Sequence, residues 1–257
     1  MGPKATVDLN ADLGERFDGW RPGDDEEILA SVTTAHVACG FHSGDPTVML
    51  ETVRAATRLG VTIGAHPSYP DREGFGRRPM AIEPERIRAD VLYQIAALDG
   101  IARSAGAAVR SVKAHGALYN AMAVDRECAA AVAAATRDLD ADLWLVVPAG
   151  SAAVEVARAA GLRVAEEAFC DRRYADDGTL APRSGGDALV TDPDEAAARA
   201  VRLAVDHRVE ASGGTTLSLW PATLCVHGDT PGAAAVARGV RAALESAGVS
   251  VRSYAAG

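Results

Sequence analysis

Short apolar runs recur along this chain, each followed by a longer stretch of helical period, and that alternation restricts the fold more than any other feature. The strand-like runs fall at residues 5–9, 33–38, 61–65, 109–114, 143–147, 163–168 and 222–226, with a weaker one at 249–253. Several are nearly continuous in Val, Leu, Ile and Ala, the pattern of parallel strands covered on both faces. The intervening helices carry start signals. Asp45-Pro46 sets a cap residue before a proline at the first helical position, and Met49, Val53 and Ala56 then share a face. Glu83-Pro84 opens a second helix, in which Ile87, Val91, Ile95 and Leu98 repeat on one side. Asp192-Pro193-Asp194-Glu195 resembles a capping box with proline inside it, and Thr230-Pro231 repeats the cap-plus-proline device.

Strands alternating with helices about seven times require parallel pairing and right-handed crossovers. A doubly wound sheet and a closed barrel both meet that requirement. Polar motifs follow most of the strands here, whereas a doubly wound sheet gathers its site at one switch point. The expected fold is therefore α/β, a seven-stranded β/α barrel. No linker or charge block divides the 257 residues, and the small-residue segment 211–216 is too short for a boundary, so a single domain over 1–257 is expected.

Charge and cysteine content narrow the function. Lys and Arg number 26 against 35 Asp and Glu, a net charge of −9, and no basic stripe is present to displace counterions from a nucleic acid. No apolar run approaches the length of about 18 residues that a membrane span needs. The start Met1-Gly2-Pro3-Lys4 lacks a signal-peptide core, which points to the cytoplasm. Cys39, Cys128, Cys170 and Cys225 form no C-x-x-C pair and read as reduced thiols, with Cys39 and Cys225 in buried strands. Oligomeric state is left open, a homo-oligomer included.

In parallel α/β folds the C-terminal strand ends converge on the site, and five of them carry polar clusters here. In Asp8-Leu9-Asn10-Ala11-Asp12-Leu13-Gly14-Glu15, the residues Asp8, Asn10 and Asp12 share parity, so a continued strand would point three oxygen donors one way. His42 lies in the glycine-flanked loop Gly40-Phe41-His42-Ser43-Gly44-Asp45, where Asp45 reads as a helix cap and His36 as a packed histidine. His66 ends an apolar strand between Ala65 and Pro67, and Arg77 and Arg78 follow as a pair able to clamp an anion.

Lys113 and His115 stand two apart before Tyr119 and Asn120. Lys4 and Lys113 are the two lysines of a chain otherwise served by arginine, so Lys113 reads as a compact, pKa-tunable ammonium. The fifth cluster, Cys225-Val226-His227-Gly228-Asp229, again ends a strand in histidine. Four of six histidines thus fall at strand ends, while His207 reads as a helix-terminus residue. The acid- and Arg-rich stretch from Glu166 through Asp171, Arg172, Arg173 and Tyr174, with Arg183 beyond it, suits a charged substrate. P-loop, dinucleotide-binding, G-x-S-x-G and H-E-x-x-H motifs are absent.

The runs DLNADLGE, ACGFHSGDP, GAHPSYPDREGFGRR, KAHGALYN, FCDRRY and CVHGDTPGA together closely resemble the LamB/YcsF lactam-utilisation family over nearly the whole chain. His36, Ala114 and Cys170 stand where that family usually carries Asn, Pro and Ala. The resemblance implies a barrel similar to the glycoside hydrolase/deacetylase superfamily. It also implies ATP-coupled opening of the lactam of 5-oxo-L-proline to L-glutamate, with Mg-ATP as phosphoryl donor and partner subunits B and C of a 5-oxoprolinase.

On that footing the expected catalytic set is Asp8, Asp12, His42, His66, Lys113, His115 and His227. The acids would orient a nucleophile, the histidines would share proton transfer or metal binding, and Lys113 would stabilise charge developing on the lactam or phosphoryl oxygen. Arg77, Arg172 and Arg183 would hold the substrate carboxylate, with Asn10, Tyr119, Asp171 and Asp229 completing the binding set. Lys113→Met is expected to abolish turnover and leave the fold intact. A negative protein repels anionic substrates at long range, so their capture rests on such local cations. Two rival readings are a non-catalytic binding subunit and a metal-dependent amide or N-acetyl hydrolase, with Asp12, His42 and His66 as ligands of an additional divalent metal.

Overall fold

A computed structural model describes residues 5–16, 25–183, 188–229 and 232–256. In chain order the elements are β1 (Thr6–Leu13), α1 (Asp25–Leu29), β2 (Thr34–Ala38), α2 (Pro46–Arg58), β3 (Thr62–His66), α3 (Pro84–Ser104), β4 (Val109–Lys113), α4 (Gly116–Val124) and α5 (Arg126–Leu139). Then follow β5 (Trp144–Pro148), α6 (Ala152–Ala159), β6 (Arg163–Phe169), α7 (Pro193–Val201) running into a π-helical turn (Arg202–Asp206), β7 (Arg208–Glu210), β8 (Thr216–Ser218), β9 (Thr223–His227), α8 (Ala233–Ser246) and β10 (Ser250–Val251).

Strands β1 to β6 pair in sequence order, and β9 closes the ring by pairing with both β6 and β1, all in parallel. The expected seven-stranded β/α barrel is the observed fold. The helix starts follow their cap chemistry: Asp45 accepts from the backbone N–H groups of Thr47 and Val48 at 2.8 and 2.9 Å, and Asp192 accepts from those of Asp194 and Glu195. Glu83 makes no side-chain cap bond, so Pro84 alone marks the start of α3. Thr230-Pro231, like Lys4, lies outside the described residues.

Three elements depart from expectation. β1 runs on to Leu13 instead of stopping at residue 9, because its alternation continues. The short β10 stays outside the barrel, where Thr6 and Val7 of β1 pair with Ser250 and Val251. Within the segment 211–216, residues 211–215 form the turn of an antiparallel hairpin, β7–β8, and Thr216 opens β8.

Alternation along the strands sorts the barrel into two compartments. Val7, Leu9, Ala11 and Leu13 face outward into the apolar layer beneath the helices, where Val53, Ile95, Leu98 and Leu244 are fully buried. Asp8, Asn10 and Asp12 face inward and are buried as well. The barrel lumen is polar, so each group in it needs a partner.

Candidate active site

The lumen is built in tiers. At its floor, Asp8 accepts from the hydroxyls of Thr33 and Thr34 at 2.6 Å and of Thr223 at 2.5 Å. Burial pushes Asp8 up to about 6 against those three hydrogen bonds. The C-terminal residues close this end, with Ser253 Oγ 3.1 Å from Thr34 Oγ1 and the Tyr254 ring 5.4 Å from that of Trp144. Asp8, expected in the catalytic set, is thus enclosed in hydroxyls and does not line the chamber described below.

One tier up, Asn10 donates to Glu167 at 2.9 Å and to Thr223 at 2.7 Å, while His36 Nδ1 and Lys113 Nζ each lie 3.1 Å from its Oδ1. Asn10, expected in the binding set, spends its amide on this network, contacts Lys113 and does not line the chamber. His36 is buried, bonded to Asn10 and 3.4 Å from Ser111 Oγ, the packed histidine its strand position suggested.

Lys113 is the pivot of the lumen. Its ammonium lies 2.8 Å from Asp12 Oδ1, 2.9 Å from Glu167 Oε1 and 3.1 Å from Cys225 Sγ. Burial opposes that charge, but the two carboxylates outweigh it and hold the lysine well above its ordinary value. The tunable ammonium expected from sequence is instead a fixed cation. Burial likewise works against ionised Asp12, yet His66 and Lys113 hold it well below the usual aspartate range.

Around Glu15 gather three imidazoles. His42 Nε2 and His115 Nδ1 stand 3.0 and 3.1 Å from Glu15 Oε1, and His66 Nε2 is 3.0 Å from His115 Nδ1 and 3.3 Å from Asp12 Oδ2. The His42 and His115 rings stack at 3.8 Å, and burial pushes His42 down to about 3. Burial also lowers His115, whereas the histidine contacts overcome burial to hold Glu15 below the glutamate range. Gly76 and Gly116 allow this packing: a Cβ on Gly76 would meet His115 at 2.8 Å, and one on Gly116 would meet the Gly76 carbonyl at 2.5 Å. Ligand atoms of Glu15, His42, His66 and His115 form one metal-compatible group, and those of Asp12, Cys225 and His227 form another.

Above lies a chamber of about 430 Å³, lined among others by Asp12, His66, Lys113, His115, Tyr119 and His227. Arg77, Arg172 and Arg183 border it from the loops. Arg77 pairs with Asp229 at 2.5 Å, with Arg183 3.7 Å away, so Asp229 contacts two of these arginines. Arg172 is buried and donates to the carbonyls of Ala181 and Ala188; burial and the neighbouring Arg183 push it down to about 10. Asp171 also sits behind the wall. It accepts from the His227 backbone N–H at 2.8 Å and lies 3.0 Å from His227 Nδ1, leaving Nε2 as that ring's other nitrogen. Asp171, expected in the binding set, thus contacts the His227 imidazole. His42 is fully buried and does not line the chamber.

Two residues central to the lumen were not singled out from sequence. Glu15 ends the DLGE run, and Glu167 lies at inward parity on β6, where Tyr119 donates to it at 2.6 Å. Alternation within the apolar run of β6 finds Glu167, but Glu15 has the opposite parity to Asp8, Asn10 and Asp12 and turns inward only after Gly14, at φ +70°, breaks the strand.

The four cysteines are free and buried, and no helix among the described residues is long and apolar enough to cross a membrane. Among proteins of known description, the chain is 55% identical over 246 residues to the A subunit of a 5-oxoprolinase from Methylococcus capsulatus, covering 96% of this chain and 95% of the relative. The corresponding 5-oxoprolinase polypeptide from Bordetella pertussis is 51% identical, with 96% and 98% covered. The crystal structure of a lactam utilization protein from Thermus thermophilus superposes with a TM-score of 0.91 at 50% identity, covering 97% of this chain and all of that one. The profile of the LamB/YcsF family matches residues 7–257, and with relatives this similar over nearly its full length, the chain belongs to the LamB/YcsF family.

Proposed function

We propose that this chain is the A subunit of a cytoplasmic ATP-dependent 5-oxoprolinase, opening the lactam of 5-oxo-L-proline to L-glutamate with hydrolysis of ATP to ADP and phosphate. The observation that carries the reading is a chamber of about 430 Å³ with a fixed cation, Lys113, at its floor and a buried arginine, Arg172, in its wall. A small cyclic amide bearing one carboxylate matches both features. Its carboxylate would meet Arg172 and Arg183, and its carbonyl oxygen would lie over Lys113. The descriptions carried by the relatives support the same substrate class.

An unactivated lactam is a poor electrophile. Phosphorylation of its carbonyl oxygen by Mg-ATP makes the ring carbon attackable, and subunits B and C would share this work. His227, whose Nδ1 lies 3.0 Å from Asp171, would take a proton from water through Nε2 as the new C–O bond forms. It would then return that proton to the ring nitrogen as the C–N bond breaks, which leaves an acyl phosphate of glutamate that a second water cleaves to glutamate and inorganic phosphate. Lys113 keeps its own proton throughout and stabilises negative charge on the oxygen.

The test is reconstitution with subunits B and C, following ADP and glutamate release in the presence of 5-oxoproline. Glutamate release should require this chain; full turnover by B and C alone would overturn the reading and leave a non-catalytic binding role. A second reading, a metal-dependent amide hydrolase without ATP, draws on the Glu15, His42, His66 and His115 group. Amide or N-acetyl hydrolysis by the isolated chain in the absence of ATP would select it.

A further inference from the structure

The chamber has a neighbour. A second cavity, of about 610 Å³, lies against it, and Tyr119, Phe169, Leu180 and Pro182 line both. The two spaces differ in chemistry. Lys113, Arg77, Arg172 and Arg183 border the chamber, whereas none of the described residues that line the second cavity is Lys, Arg or His. The two acids there are already engaged. Glu167 lies 2.9 Å from Lys113 and accepts from Tyr119 at 2.6 Å, and Asp177 accepts from the backbone N–H and the hydroxyl of Thr179 at 2.9 and 2.7 Å. Val124, Leu217 and Leu219 add apolar surface, so the space suits an uncharged group.

The shared residues are held in different ways. Tyr119 is tied through Glu167 to Lys113, its ring meets Phe169 edge-on at 5.8 Å, and Phe169 stacks on His227 at 5.4 Å. These two belong to the lumen. Leu180 belongs to a loop that folds back on itself, pairing with Tyr174 in an isolated antiparallel bridge. The Ala175 N–H donates to the Thr179 carbonyl at 2.8 Å, the Ala181 N–H to that of Arg173 at 2.9 Å, and the Ala181 carbonyl accepts from Arg172 at 2.7 Å. Backbone bonds therefore fix the loop before and after Leu180, while its half-buried side chain packs on the core and can make no hydrogen bond.

We infer that Leu180 is a specificity-determining residue. It closes the chamber against the second cavity and so restricts the chain to small amides, and the space behind it takes an uncharged, apolar substituent once the leucine is cut back. The inference rests on the reading that the chamber takes a lactam, and it adds the residue that limits the size of that lactam.

The experiment reconstitutes wild type, Leu180→Ala and Leu180→Met with subunits B and C. It compares 5-oxo-L-proline with analogues carrying a phenyl or a carboxyphenyl group on a ring carbon, following release of the ring-opened product. In Leu180→Ala the ratio of kcat/KM for the phenyl analogue to that for 5-oxoproline should rise at least about tenfold over wild type, chiefly through KM. A merely structural role would lower both values together. Leu180→Met conserves volume and should keep the wild-type ratio, and the carboxyphenyl analogue should gain nothing in any variant. Should Leu180→Ala fail to fold, Leu180→Val is the smaller step and should move the ratio the same way. Wild type that takes the phenyl analogue as readily as 5-oxoproline, or an unchanged ratio in the folded variant, would overturn this inference alone. An equal gain for the carboxyphenyl analogue would overturn the uncharged character of the second cavity. Wild type that releases no glutamate from 5-oxoproline would sink the lactam reading and this inference with it.

Discussion

At the scale of the residue, Lys113 concentrates the energetics of the lumen. One ammonium answers two buried carboxylates, Asp12 and Glu167, and its hydrogen bonds reach Asn10 and Cys225 as well. Removing it leaves both carboxylates buried without their cation, a loss of the kind that costs about 3–5 kcal/mol. Lys113→Met is therefore expected to lower the unfolding free energy by that amount in urea denaturation at neutral pH. The double variant Lys113→Met/Glu167→Gln should recover part of it. An unchanged midpoint in the single variant would mean that the carboxylates find other partners. The two ion pairs make this substitution costly to stability, so a loss of activity in it reports on stability and chemistry together.

At the scale of the element, β3 shows how neighbouring strands share the lumen. Gly64 takes the inward position beside His36 of β2 and Ser111 of β4. A Cβ there would stand 2.4 Å from His36 Cδ2 and 2.6 Å from Ser111 Oγ. The glycine makes room for the imidazole that holds Asn10, and Asn10 in turn holds Lys113. Gly64→Ala is an overpacking change inside a closed ring, with an expected cost of about 1–3 kcal/mol. Thermal unfolding measures it, and Gly64→Ala combined with His36→Ala should lose less than the sum of the two single variants. Strict additivity would show that the two side chains do not compete for this space.

At the scale of the whole molecule, the barrel brings a carboxylate from β1, threonines from β2 and β9, and the C-terminal residues to one floor. Burial there raises Asp8 from 3.8 to about 6. Between those values the folded chain keeps a proton that the unfolded chain has released. The stability this contributes is full below about pH 4 and is lost as pH rises through 6, a difference of roughly 3 kcal/mol. Asp8→Asn cannot titrate. The unfolding free energy of the wild type, measured relative to that variant, should fall by up to roughly 3 kcal/mol from pH 4 to pH 7. A difference that stays flat with pH would show that the floor leaves Asp8 at its ordinary value.

Much of this was legible without coordinates. Apolar runs of strand length alternating with capped helices specify parallel β/α units, because both periods are local properties of the chain. Polar residues in register at the ends of those runs mark one end of the barrel, and His66, Lys113, His115 and His227 line the chamber there. What the sequence did not decide was which of these groups meet. Asp8, Asn10 and Asp12 share a strand face and look equivalent in one dimension. Closure of the ring gives them different partners: threonine hydroxyls for Asp8, an amide network for Asn10 and an ammonium for Asp12. Glu15 and Glu167 become central for the same reason, since their partners come from strands distant in sequence. Periodicity is set by neighbours along the chain, whereas charge pairing and tautomer are set by neighbours across the barrel, and those exist only once it has closed.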